Sequence, residues 1–298
     1  MTSLYNEISQ TYLTDGYVIV DSHQVALDQL NQHAVRDKSE LSVIDFGVGH
    51  GTFLKDLHST GRFGKMTGVD ISARMLETAV NTVPMDGIVS EIDKIDQHIP
   101  TQSVDIAVAH FVLAYVPLET VLEQANQVLV KDGYLSLVTT TNEEGLTTGW
   151  VYPLLDHCKA SFNPLLRLVP FLAYRAIPKV KAPENFASIE QSLIEGEFEI
   201  IDRQQQRFTR RLETPAEGYS VLIEQGWCVK VIDLPGVPFS LLKMVARYII
   251  NRLPFPILGT QVVETILLRR IRPDCNLTLA EQGWKANDAS QPQANYNV

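Results

Sequence analysis

The stretch Val43-Ile44-Asp45-Phe46-Gly47-Val48-Gly49-His50-Gly51-Thr52-Phe53-Leu54 constrains this chain more than any other. An apolar run stops at three alternating glycines, and a helical period restarts at Phe53, Leu54 and Leu57. Strand, glycine turn, then helix implies an α/β fold with a ligand at the turn. Glycine lets a ligand approach the backbone, and the helix N-terminus offers unsatisfied N–H groups. The dinucleotide fingerprint G-x-G-x-x-G, counted from Gly47, would need glycine at Thr52, so the spacing argues against NAD.

The flanking pattern supports that class. Residues 25–34 and 73–83 have helical spacing, with Ser72 as the expected N-cap of the second helix. Residues 41–46, 66–71, 104–111 and 134–139 read as strands, and 118–129 is a helix closed by Lys131-Asp132-Gly133. Such alternation predicts a parallel sheet with right-handed crossovers. Residues 142–213 are irregular and rich in apolar and aromatic side chains. Order returns with a capping box at Thr214-Pro215-Ala216-Glu217, a helix closed by Gly226, and strands over 227–234 and 262–271.

Composition narrows the function. The net charge of −10 over 298 residues argues against a nucleic-acid binder, which needs clustered Lys and Arg. Cys158, Cys228 and Cys275 are scattered and odd in number, so neither a disulfide framework nor a C-x-x-C metal pair is expected. The N-terminus lacks the basic and apolar regions of a signal peptide. No apolar run approaches the roughly 18 residues of a membrane span, so a cytoplasmic protein is expected. Leu241–Arg252 is amphipathic with three basic residues; packing on the domain is the first reading, with peripheral membrane contact the lesser one.

Two acids specify the ligand further. Asp45 at the strand tip would repel a pyrophosphate and attract an ammonium or sulfonium group. Asp70 ends the second strand, where a carboxylate can accept from both hydroxyls of a ribose. A ligand with a cation near Asp45 and a ribose near Asp70 is S-adenosylmethionine.

On these residues the sequence resembles the class I (Rossmann-like) S-adenosylmethionine-dependent methyltransferases, in their small-molecule branch. VIDFGVGHGTFL is similar to their first motif and TGVDISARML to their second-strand acid and helix start. SVDIAV resembles their fourth strand and LVKDGYL the turn into the fifth. The resemblance is strong over about residues 40–140, moderate over 214–271 and absent over 142–213. It implies an α/β seven-stranded sheet with helices on both faces, the last strand antiparallel, and a mainly helical insertion after strand five. It implies one domain over 1–298: an N-terminal helical cap (1–35), a cofactor-binding core (36–141), a substrate lid (142–213), the rest of the core (214–272) and a flexible tail (285–298).

The same resemblance assigns cofactor contacts to Asp45, Gly47, Gly49, Gly51, Asp70, Ile71 and Met75. Ile92 and Asp93 fall where the family contacts adenine, and Tyr5 and Tyr12 on a helix that would cover the cofactor. His110, at the carboxyl end of the fourth strand, is the candidate base and a further cofactor contact. His50, within the glycine loop, and His157, beside Asp156 in the insertion, are weaker candidates. The expected cofactor is S-adenosyl-L-methionine, leaving as S-adenosyl-L-homocysteine, with no metal. The expected reaction is methyl transfer to a small, largely apolar or aromatic metabolite, on oxygen slightly ahead of nitrogen or carbon. Two alternatives stay open: a non-methylating protein on the same fold, and a methyltransferase for protein or RNA. The latter is disfavoured by the charge and by His110-Phe111-Val112-Leu113 standing where an Asn-Pro-Pro-Tyr signature would be.

Overall fold

A computed structural model of the chain describes residues 6, 9, 17–34, 40–143, 149, 152–164, 166–168, 170, 182–224 and 238–271. Helix α1 (Tyr17–His33) leads into β1 (Leu41–Phe46), α2 (Thr52–Ser59), β2 (Phe63–Asp70), α3 (Ala73–Thr82) and β3 (Asp86–Val89). A 3-10 turn (Ile92–Gln97), β4 (Val104–His110), α4 (Leu118–Val128) and β5 (Leu129–Thr140) follow. Then come α5 (Tyr152–Ala160), α6 (Phe186–Glu195), β6 (Phe198–Leu212), α7 (Pro215–Tyr219), a π-turn (Ser220–Glu224), α8 (Phe239–Ile250) and β7 (Ile257–Arg270).

The seven strands form one sheet in the order β3-β2-β1-β4-β5-β7-β6. β7 is antiparallel to both neighbours, and the first five strands run parallel. The central strands are apolar because both faces are covered. On one face, Ala26 and Leu30 of α1, Leu54 and Leu57 of α2 and Ala79 of α3 pack on Val43, Ile106, Val108 and Val263. On the other, Val121 and Ala125 of α4 and Ile189 of α6 pack on Ile44, Ala107, Leu137 and Ile266. A third cluster joins Leu155 of α5, Tyr219 of α7 and Ala246 and Ile250 of α8.

Local signals act as expected at several ends. Ser72 Oγ accepts from Met75 N at 3.2 Å, and Thr214 Oγ1 accepts from Glu217 N at 3.2 Å with Pro215 opening the helix. Elsewhere the structure departs from the pattern. α4 stops at Val128 and β5 begins at Leu129, with Asp132 at a φ of 58° inside the strand rather than before it. Residues 198–212 are β6, a full sheet strand, and not part of a helical insertion. Arg203 and Glu264 explain why the pattern misled: this strand is largely polar, and its partner strand supplies the buried carboxylate for its guanidinium (2.8 and 2.9 Å). The strand expected over 227–234 lies outside the described residues. β3 had no sequence signal, being a short edge strand with mainly exposed side chains.

Candidate cofactor site

The strand order reverses between β1 and β4, and ligands in open α/β sheets sit at such a switch, beyond the carboxyl ends of the strands. A cavity of about 420 Å³ opens there. Its floor is the glycine loop. Gly47 N and Val48 N both donate to Val69 O, at 2.8 and 2.9 Å, which folds the loop back over β2. Gly47 has a φ of 84°, and a Cβ there would lie 2.4 Å from Val112 Cγ1. Gly49 has a φ of 53° with no atom within 4 Å of the place a Cβ would occupy. The backbone at Gly49 therefore faces open space.

Asp70 fixes the loop. Its Oδ2 accepts from Gly49 N at 3.0 Å and its Oδ1 from Ser72 N at 2.8 Å. Burial raises its pKa above the ordinary carboxylate value, and the backbone N–H groups of Ser72, Gly49 and Ile71, with His50, oppose that rise. A carboxylate has about four lone-pair sites, so Asp70 can still accept from a ligand hydroxyl. Asp45 lies deeper. It is 4% exposed, and burial first, then the Asp70 charge, pushes its pKa up to about 8. It is absent from the cavity wall, contrary to the expectation that it faces the ligand directly. Its register, opposite Gly68 of β2 and Val108 of β4, seats it inside the sheet.

The cavity brings together Gly47, Gly49, Asp70, Ile71, Met75, Ile92, Asp93 and His110. Gly51 is set back from it as the N-cap residue of α2, where a Cβ would sit 3.1 Å from that of Ala79. Tyr5 and Tyr12 lie outside the described residues. Asn6, next to Tyr5, is held at the start of α3: its Oδ1 accepts from Ser72 Oγ at 2.7 Å.

Several wall residues carried no sequence signal. Phe111, Tyr115, Val116, Pro117 and Thr120 form the side toward the β4–α4 loop, and Ser90 and Glu91 the side toward β3. Phe111 takes a φ of 57° and is held there by its N–H, which donates to Val138 O at 2.7 Å. Such a φ is uncommon for a bulky residue. His23 of α1 is the other addition. Its ring lies 5.1 Å from that of His110 and 5.0 Å from that of Phe53, and Phe53 lies 4.3 Å from His110. His110 Nε2 meets Ser136 Oγ at 3.0 Å, while Nδ1 is buried with no hydrogen bond. Burial, then His23, lowers the His110 pKa well below 6.5, and burial lowers that of His23 to about 4. Both rings are neutral at neutral pH.

The charge of the wall is one-sided. Asp70, Glu91 and Asp93 line it, and no Lys or Arg does so among the described residues. Phosphate groups need cations or clustered N–H donors, whereas a sulfonium and an ammonium suit carboxylates. Fold, glycine loop and acidic cavity together make a Rossmann-like site suited to a ligand that carries a sulfonium or ammonium group.

Known proteins agree. Residues 44–137 match the family model described as a methyltransferase domain. A protein-lysine N-methyltransferase of Saccharomyces cerevisiae is 34% identical over 88 residues, which are 29% of this chain and 35% of that relative's length. The match thus spans about a third of that relative. A crystal structure described as a candidate methyltransferase from Bacillus halodurans C-125 superposes with a TM-score of 0.54 and 13% identity, covering 84% of this chain and all of that one. A [4+2]-cyclase, SpnF, superposes at 0.50 with 12% identity, covering 84% and 80%. These superpositions show the fold. Residues 44–137 thus match a methyltransferase domain, and the fold around them is that of the superposed structures.

Proposed function

We propose that the chain transfers a methyl group from S-adenosylmethionine to a small, largely apolar metabolite in the cytoplasm, with oxygen the favoured acceptor. The observation that carries the cofactor reading is the acidic cavity above an open Gly49, with no Lys or Arg among its described residues. When bound, the cofactor supplies a methyl group activated by a sulfonium. Asp70 would accept from the ribose hydroxyls, and Ile92 and Asp93 would hold adenine. Gly47 and Gly49 would let the methionine part approach the backbone, with Asp45 behind the loop as a buried acid. Ile71 and Met75 would complete the wall, Gly51 would shape the turn, and Tyr5 and Tyr12 would cover the ligand.

His110 is the candidate base. With Nε2–H donating to Ser136, its Nδ1 lone pair would take the acceptor's proton. A ring this reluctant to protonate is a weak base. Alignment and exclusion of water would then supply most of the acceleration, which suits an acidic hydroxyl better than an amine or alcohol. Phe111, Val112, Tyr115 and Val116 favour an apolar acceptor. The second reading is a lysine side chain of a protein, favoured by the likeness to the yeast enzyme over 88 residues. Radiolabelled methyl transfer tests both. Label moving to phenolic or other apolar hydroxy compounds, and not to proteins of a cell extract, supports the first reading. The reverse overturns it.

A further inference from the structure

Helix α8 carries apolar side chains on two opposite faces. Its inner face, Ala246, Ile249 and Ile250, packs into the third core cluster. Its outer face presents Leu241, Met244, Val245 and Tyr248, spaced i, i+3, i+4 and i+7 and 44, 63, 44 and 37% exposed. A helix on a water-facing surface turns polar side chains outward. This one turns out an apolar ridge, and Lys243 and Arg247, one turn apart, occupy the flank between the two faces, with the Arg247 guanidinium 4.6 Å from the centre of the Tyr219 ring. Arg252 follows, with its guanidinium 3.4 Å from the centre of the Tyr248 ring.

The charge around this helix departs from that of the chain. Residues 238–256 contain Lys243, Arg247 and Arg252 and no Asp or Glu, in a protein of net charge −10. Residues 157–183 contain Lys159, Arg167, Arg175, Lys179 and Lys181, again with no Asp or Glu. The two stretches belong together where described, since Cys158 and Leu166 pack in the same cluster as Ala246 and Ile250. Phe162 and Leu168, in the second stretch, are 97% and 56% exposed.

We propose that α8 docks on an anionic lipid bilayer. The Leu241–Met244–Val245–Tyr248 ridge enters the boundary between headgroups and acyl chains. Lys243, Arg247 and Arg252 reach the lipid phosphates along its edge, as long cationic side chains do at such boundaries. Anionic lipid is the occupant that charge complementarity selects. A second copy docked by the same face would set three cations against three cations across a two-fold interface. The bilayer would meet the end of the sheet that carries the cofactor cavity, because the chain leaves β5 and β6 and enters β7 there. Lipid docking is independent of which reaction the site performs.

Vesicle sedimentation of the full chain tests it. One set of vesicles is phosphatidylcholine alone, and the other holds about 30% phosphatidylglycerol. Wild type is expected to sediment with the anionic vesicles and not the neutral ones, and less so at high salt. Leu241→Asp/Met244→Asp is expected to weaken that partition at least about tenfold with the melting temperature unchanged. Should that variant fail to fold, Met244→Asp alone replaces it. Absence of wild type from the anionic pellet, or equal sedimentation of the variant, overturns the proposal. So does a wild-type dimer in light scattering that the variant turns into a monomer, without vesicle binding.

Discussion

The backbone N–H of Gly49 donates to Oδ2 of Asp70 at 3.0 Å, joining the middle glycine of the loop to the acid at the tip of β2. Loop shape and the proposed ribose acceptor are therefore coupled. Gly49→Ala should separate folding from binding. Its Cβ meets no atom within 4 Å, and the backbone φ is 53°. A left-handed φ costs an L-residue about 1–2 kcal/mol. The variant is expected to fold, with a modest loss of melting temperature. Its cofactor affinity should fall further than its stability, because the methyl group fills the space the ligand needs. Calorimetry and thermal melts on the same preparation compare the two.

Gly47→Ala should behave differently. The new Cβ would lie 2.4 Å from Val112 Cγ1. That side chain is β-branched and has little room to turn. Stability and binding are expected to fall together, with the melting temperature dropping more than for Gly49→Ala. Equal melting temperatures for the two variants would contradict the packing described.

Much of this site was legible because glycines, a strand-end acid and a serine cap are local signals. Gly47, Gly49, Asp70 and Ser72 sit where spacing alone put them. What escaped was set by long-range packing. His23 reaches His110 only because α1 lies across the sheet, and Phe111 takes its positive φ from a bond to Val138 on the next strand. Asp45 illustrates the same limit. Its place in the motif suggested a ligand contact, while its side chain on a central strand of the sheet is buried, away from the cavity wall. β6 was hidden by its polar side chains, two of which, Arg203 and Gln205, donate to Glu264 of the neighbouring strand.

Asp45 should make the protein less stable as pH rises. Its folded pKa of about 8 lies above the ordinary 3.8, so between these values the folded state holds a proton that the unfolded state has lost. Stability attributable to this group therefore declines from about pH 4 to pH 8. Asp45→Asn, which resembles the neutral acid in shape, should match wild type near pH 4 and exceed it at pH 8, by up to about 5 kcal/mol at about 1.4 kcal/mol per pKa unit. Denaturant melts across that range would show the gap widening with pH. A gap that narrows would contradict the buried, protonated state.

His23 works with the opposite sign. Its folded pKa of about 4 is below 6.5, so on acidification the unfolded state takes up a proton first. The resulting penalty is absent above pH 6.5 and grows as pH falls toward 4. His23→Phe, which keeps a ring beside Phe53 and His110, should flatten the loss of stability between pH 6.5 and 4. Melting temperatures over that interval provide the check, and an unchanged slope would count against a buried neutral His23.

Methyl transfer by any route requires the acidic cavity over the glycine loop to hold S-adenosylmethionine. Calorimetric titration of ligand-free protein with S-adenosylmethionine, with NAD as control and Asp70→Asn in parallel, measures this. Saturable binding of S-adenosylmethionine is expected, with none of NAD. Affinity should be at least about tenfold weaker in the variant, since one good hydrogen bond to a charged group is worth that much. No heat from S-adenosylmethionine with the folded wild-type protein, or binding unaffected by Asp70→Asn, would contradict it.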